Sequence, residues 1–218
     1  NSRHGFWSQA FDLTGLTLRR VNASSNGTAG NAGRGLWVIN GTKNGITVED
    51  GTFRNNGLVG IDISDGSVTN LAITGNTVEG NGDSGIGVLG AQGPGTTLVS
   101  GNTVTNNGRF GIEIKNPNGS GATSGPGSVV VSNNTVSRTS DATRAEDHAG
   151  IAVFKRAPDP SHNAAQPTGV VVSGNTVSGY HRMPSGSTGD GIGIVVEGLN
   201  QTVQRNTVTG NDVGIQVQ

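Results

Sequence analysis

Thr97–Asn116, reading TLVSGNTVTNNGRFGIEIKN, is one unit of a pattern that recurs along the whole 218-residue chain. Its apolar residues alternate with polar ones. Thr103 and Thr105 flank Val104, and Ile112 and Ile114 flank Glu113, which is the two-residue period of a strand with one buried face. Gly and Asn interrupt the runs, and no window of helical periodicity appears. The element Gly-apolar-x-apolar returns at Gly5-Phe6, Gly35-Leu36, Gly60-Ile61, Gly85-Ile86, Gly111-Ile112, Gly150-Ile151, Gly191-Ile192 and Gly214-Ile215. Successive apolar residues are 30, 25, 25, 26, 39, 41 and 23 positions apart, a period near 25 broken by insertions. Such a period marks a solenoid.

Three short strands per unit, separated by turns, close the chain into a coil whose rungs stack as parallel strands ~4.8 Å apart. The expectation is an all-β, parallel β-helix of about eight rungs, forming one domain over residues 1–218. A corner recurs at Gly75-Asn76, Gly101-Asn102, Asn133-Asn134, Gly174-Asn175 and Arg205-Asn206, each followed by Thr-Val. Gly and Asn accept the left-handed backbone of a tight corner. Stacked Asn side chains can also bond one another along the axis as an amide ladder.

Thirty-eight glycines and only 31% hydrophobic residues resemble a disordered composition, but the regular recurrence of apolar positions and a net charge of −1 argue for a packed repeat. Fourteen basic against fifteen acidic residues create no field that would draw nucleic acid. The absence of cysteine excludes disulfides and thiolate metal sites. No run approaches the ~20 apolar residues of a membrane span. The sequence starts and stops inside the repeat, so a portion of a longer chain is expected, in which flanking domains are possible.

The repeat resembles the right-handed parallel β-helix of the pectate-lyase-like superfamily over essentially its full length. That resemblance places the Asn corner between the second and third strands of a rung and makes the Gly-Ile strand the first. The insertions Lys115 to Ser128, Arg138 to His148, Lys155 to Gly169 and Gly179 to Asp190 all border the first strand. Long loops on a repeat scaffold carry function, so a groove is expected over rungs five to seven.

On the outward side of the first strand the alignment gives the column Trp7, Trp37, Asp62, Gly87, Glu113, Ala152, Gly193 and Gln216. Two neighbouring outward tryptophans either present flat faces to sugar rings or are covered by another segment. Asp62 and Glu113, two rungs apart, have backbones ~9.6 Å apart at ~4.8 Å per rung. A carboxylate pair at ~6.5–9.5 Å suits an inverting glycoside hydrolase, while outward acids are otherwise simply solvated.

A second cluster holds Glu113, Lys115, His148, Lys155, Arg156, His181, Arg182 and Asp190. Proton removal beside a uronate carboxylate needs a base and a positive charge for the developing enolate. Lys115 or His148 can serve as base, and Arg156 or Arg182 as clamp, unless these are ordinary loop charges. Glu113 and Asp190 complete the catalytic candidates.

Asn1-Ser2-Arg3-His4-Gly5-Phe6 resembles the N-x-R-H-G-F segment of mannuronan C5-epimerase catalytic modules, which implies substrate contacts for Arg3 and His4. The Tyr-Gly-Phe-Asp-Pro-His motif of that family has no match here; Asp159-Pro160-Ser161-His162 carries an added serine and lacks the tyrosine. Two functions are therefore expected: a secreted or cell-surface enzyme acting on an acidic polysaccharide by lyase or epimerase chemistry, or a non-catalytic surface or glycan-binding rod. No cofactor or metal is required by the residues, and calcium enters only through the family resemblance.

Overall fold

In the computed structural model, strands of three to eight residues each pair in parallel with the equivalent strand one rung away. The structure describes residues 1–9, 12–27, 32–118, 129–140, 145–155, 166–183 and 189–218. The first sheet stacks Phe6–Gln9, Leu36–Ile39, Ile61–Ser64, Ile86–Leu89, Phe110–Lys115, His148–Phe154, Gly191–Val196 and Val213–Val217. The second runs from Asp12–Thr14 through Thr97–Ser100 to Thr202–Gln204, and the third from Thr52–Arg54 through Thr103–Thr105 to Thr207–Thr209. The expected eight-rung parallel β-helix is the architecture found.

Its core is a stack of like on like. Leu36, Ile61, Ile86, Ile112, Ile151 and Ile194 follow one another up the inside of the first sheet, all fully buried. Val99, Val131 and Val172 do the same in the second sheet, and Val78, Val104, Val136 and Val177 in the third. Each such side chain contributes about 1.5–3 kcal/mol on burial, so register is enforced at every rung.

The glycine before each inward apolar residue has a steric cause. A Cβ on Gly5, Gly35, Gly60, Gly85, Gly111, Gly150 or Gly193 would lie 2.5–2.8 Å from the carbonyl oxygen of the glycine one rung on. This column also corrects the rung alignment. Ile151 pairs with Ile194, and Ala152 with Val195, so the seventh rung begins at Gly193 and the outward position there is Val195, not Gly193. The segment Gly191-Ile192-Gly193-Ile194 offers two Gly-Ile frames, and only the second places its glycine over Gly150.

Asn corners form the expected ladder. Asn76, Asn102, Asn134, Asn175 and Asn206 are linked Nδ2 to Oδ1 at 2.9–3.0 Å, and from Asn102 on each Oδ1 also accepts the backbone N–H of the preceding Asn. The residue before the Asn has positive φ throughout, at Gly75, Gly101, Asn133, Gly174 and Arg205. A second ladder, absent from the sequence reading, joins Asn26, Asn56, Asn81 and Asn107 at 2.8–2.9 Å where the third strand turns back to the first. Beyond Asn107 its place is taken by Arg138, which donates to the Asn107 carbonyl, and by the fully buried Tyr180.

Candidate functional site

The outward column of the first sheet is fixed by the pairing as Trp7, Trp37, Asp62, Gly87, Glu113, Ala152, Val195 and Gln216. From Trp37 to Val195 each of these alternates with buried residues, so side-chain direction follows from the strand period. A cleft of about 350 Å³ opens over it, lined among others by Arg34, Trp37, Asp62, Arg109, Glu113 and Lys115. It is centred on the second to fifth rungs, lower than the fifth to seventh expected from the insertions.

Gly87 sets the geometry at the centre. With no side chain between them, Asp62 and Glu113 lean together. Their nearest oxygens stand 3.7 and 3.6 Å from where a Gly87 Cβ would be, so their separation cannot exceed the sum of those distances. Each carboxylate is held. Arg34 Nε donates to Asp62 Oδ2 at 2.5 Å, while Lys115 Nζ and Ser84 Oγ reach Glu113 Oε2 at 2.9 and 3.1 Å. Burial pushes the Asp62 carboxyl above its ordinary value, against the lowering pull of Arg34 and Lys115.

Beside this pair lies an aromatic shelf. The Trp7 and Trp37 rings are nearly parallel, 17° apart, with centroids at 6.2 Å. The Arg34 guanidinium sits 4.2 Å from the Trp37 ring centre, and Trp37 Nε1 donates to Ser64 Oγ at 3.2 Å. The His4 ring lies 4.9 Å from Trp37, its Nδ1 accepting the Arg34 amide at 3.1 Å. Burial and then the nearby Arg34 and Arg3 charges lower its pKa, which favours the neutral ring. Trp7 is 52% exposed.

The cluster expected around the fifth to seventh rungs divides. Glu113 and Lys115 face the cleft, but His148 is buried with Nδ1 and Nε2 at 3.1 and 2.7 Å from the carbonyls of Glu146 and His181. Both ring nitrogens thus face carbonyl oxygens, and the residue also lines a second cavity of about 160 Å³. His181, Arg182 and Asp190 gather around Asp212, whose Oδ2 accepts the amides of Arg182 at 2.5 Å and Gly191 at 3.1 Å. Burial opposes ionisation of Asp212, yet these amides and His181 outweigh it and lower its pKa. Arg182 also pairs with Asp190. This group does not line the cleft over the first sheet. The Lys155 amide is bonded to Glu197 Oε2 at 2.7 Å, and Arg156 and His162 lie outside the described residues.

Sequence reading missed Arg34 and Arg109, which stand one and two residues before a rung glycine and so return over the first-strand face. A basic residue just ahead of the Gly-apolar element was the available signal. Among the described residues no group of three His, Cys, Asp or Glu side chains is placed to hold one metal ion, and Asp62 and Glu113 are engaged by Arg34 and Lys115. No helix of the described residues is long and apolar enough to cross a membrane, which says nothing of β-barrels.

No curated protein and no solved structure matches the chain. A family model described as right handed beta helix region matches residues 14–218, and the chain accordingly belongs to the right-handed β-helix family.

Proposed function

We propose that this chain is a carbohydrate-active β-helix of the secreted or surface kind, binding an acidic polysaccharide along the first sheet and acting on it by uronate lyase or C5-epimerase chemistry. The observation that carries this reading is the convergence of Asp62 and Glu113 over Gly87, in a cleft with three cations and an aromatic shelf. Glu113, set between Ser84 and Lys115, is the acceptor of the C5 proton. Lys115 and Arg109 supply positive charge where the enolate develops. Asp62, whose proton affinity burial raises against the pull of Arg34, returns a proton in this reading: to the departing glycosidic oxygen in a lyase, or to C5 in an epimerase. The six-residue likeness around Arg3 and His4 leans toward the epimerase, since His4 lies on the same shelf.

A second reading, a glycan-binding rod without chemistry, is favoured by one observation. Both carboxylates are already ion-paired, an arrangement complete without substrate. Incubation with alginate and with pectate separates the two. Unsaturated-product absorbance or solvent-hydrogen exchange at C5, reduced at least about a hundredfold in Glu113→Gln, supports the enzyme. Binding to either polymer with silence in both assays supports the rod and sinks the proposed chemistry.

A further inference from the structure

Beyond Glu113 the outward column turns apolar, because Ala152 and Val195 follow it. These two join Phe110, Ala149 and Ile192 in a cluster separate from the inner core, with Phe154 packed against it. The cavity of about 160 Å³ opens on this cluster and adjoins the main cleft, since Arg109 and Phe154 line both. Charge changes along with the floor. Arg34 and Lys115 line only the main cleft, whereas Asp147 and Glu197 line only the second cavity. Arg109, at the boundary, is ion-paired with Glu146 at 3.7 Å, and His148 is buried against two carbonyls. Asp147 is exposed and Glu197 half-buried. Each is held by a backbone amide rather than a basic side chain: Asp147 Oδ1 accepts from Asp190 at 2.9 Å and Glu197 Oε2 from Lys155 at 2.7 Å.

Resting on the glycan reading above, we infer that the two parts of the floor take different sugars: a uronate over Asp62 and Glu113, and an uncharged residue beside it over Ala152 and Val195. The substrate class is then a heteropolysaccharide in which uronates stand next to neutral sugars. Ala152 lies one rung, ~4.8 Å, from Glu113, so both parts serve neighbouring stretches of one bound chain. Over the first part, Arg34 and Lys115 supply positive charge for a carboxylate. A carboxylate over the second would lose water against Ala152, Val195 and Phe154 without gaining a donor, and would face Asp147 and Glu197. A neutral hexose or deoxyhexose meets neither cost, and its apolar ring face suits Phe154 and Val195.

The test uses pectate at graded carboxyl reduction, which turns uronates into neutral hexoses without altering linkage, with binding to the 218-residue chain read by calorimetry at fixed ionic strength. Affinity is expected to pass through a maximum at intermediate reduction, about tenfold above the unreduced polymer, a small part of what like-charge juxtaposition costs. The double variant Asp147→Asn with Glu197→Gln keeps an acceptor oxygen for the Asp190 and Lys155 amides but removes both charges, and should move that maximum toward the unreduced polymer. Val195→Lys, at a position 9% exposed, sets a cation on the apolar floor and should move it further. Circular dichroism and thermal melting establish that each variant folds, and either alone suffices; an unmoved maximum in a folded variant overturns the assignment. Affinity that falls steadily with reduction in the parent chain overturns the neutral subsite and leaves the glycan reading intact. Affinity that rises all the way to the fully reduced polymer, or no binding at any stage, overturns both.

Discussion

Lys43 lies inside the coil, where the neighbouring rungs put Leu13 and Val68. Its side chain is 1% exposed, and Nζ donates to the carbonyls of Asn40 at 2.8 Å and Gly41 at 3.2 Å, and to that of Asp65. Desolvation pushes its pKa from 10.5 down to about 8, although Asp65 and Asp62 pull the other way. Between about pH 8 and 10.5 the unfolded chain therefore holds more protons at this site than the folded one, and stability from this group rises with pH. Relative to a Lys43→Met reference, the protein should gain stability across that window and show no differential change from pH 6 to 7, as read by urea denaturation at a series of pH values. Gly85 offers a test of sterics rather than charge. Its added Cβ would stand 2.7 Å from the Gly111 carbonyl oxygen, so Gly85→Ala should cost about 1–3 kcal/mol by the same measurement.

At the level of elements, the ladders predict a gradient of sensitivity along one column. Asn102 Oδ1 accepts both the amide and the Nδ2 of Asn76, and its own Nδ2 serves Ile73 O and Asn134 Oδ1, all buried. Asn206 closes the ladder with part-buried bonds to Asn175 and Val172. Asn102→Ala strands several buried groups at about 1–3 kcal/mol each, so its melting temperature should fall well below that of Asn206→Ala. This ladder was legible because Asn-Thr-Val repeats as a fixed string. Its counterpart through Asn26 and Asn107 was not, since Arg138 and Tyr180 interrupt it and break the string where it would have been counted. The two-residue slip at Gly191 has a similar origin, as periodicity alone does not choose between adjacent Gly-Ile frames. Trp37, Asp62, Glu113 and Lys115 were readable as cleft residues because strand alternation fixes their side. The surroundings of His148 were not, because a histidine whose ring nitrogens face two carbonyls and one free of them look alike in sequence.

Across the whole molecule, the floor of the first sheet grades from aromatic to acidic to apolar: Trp7 and Trp37, then Asp62 and Glu113, then Ala152 and Val195. Four rung steps separate Trp7 from Glu113, ~19 Å at ~4.8 Å each. Both tryptophans of the chain lie at one end of this floor, so intrinsic emission reports occupancy there alone. Uronate oligomers long enough to span that distance should quench or shift the emission, whereas a disaccharide lodged at Glu113 should compete for turnover or binding without an optical signal. Loss of the long-oligomer signal in Trp37→Ala, with the fold retained, would identify the ring responsible. The glycine column has a consequence on a longer timescale. Gly85 meets Gly111 as Gly60 meets Gly85, so a rung copied in tandem would find the neighbours that its parent already has. Such a fold can lengthen by gene duplication one turn at a time, adding new floor positions to the groove while its interior needs no redesign.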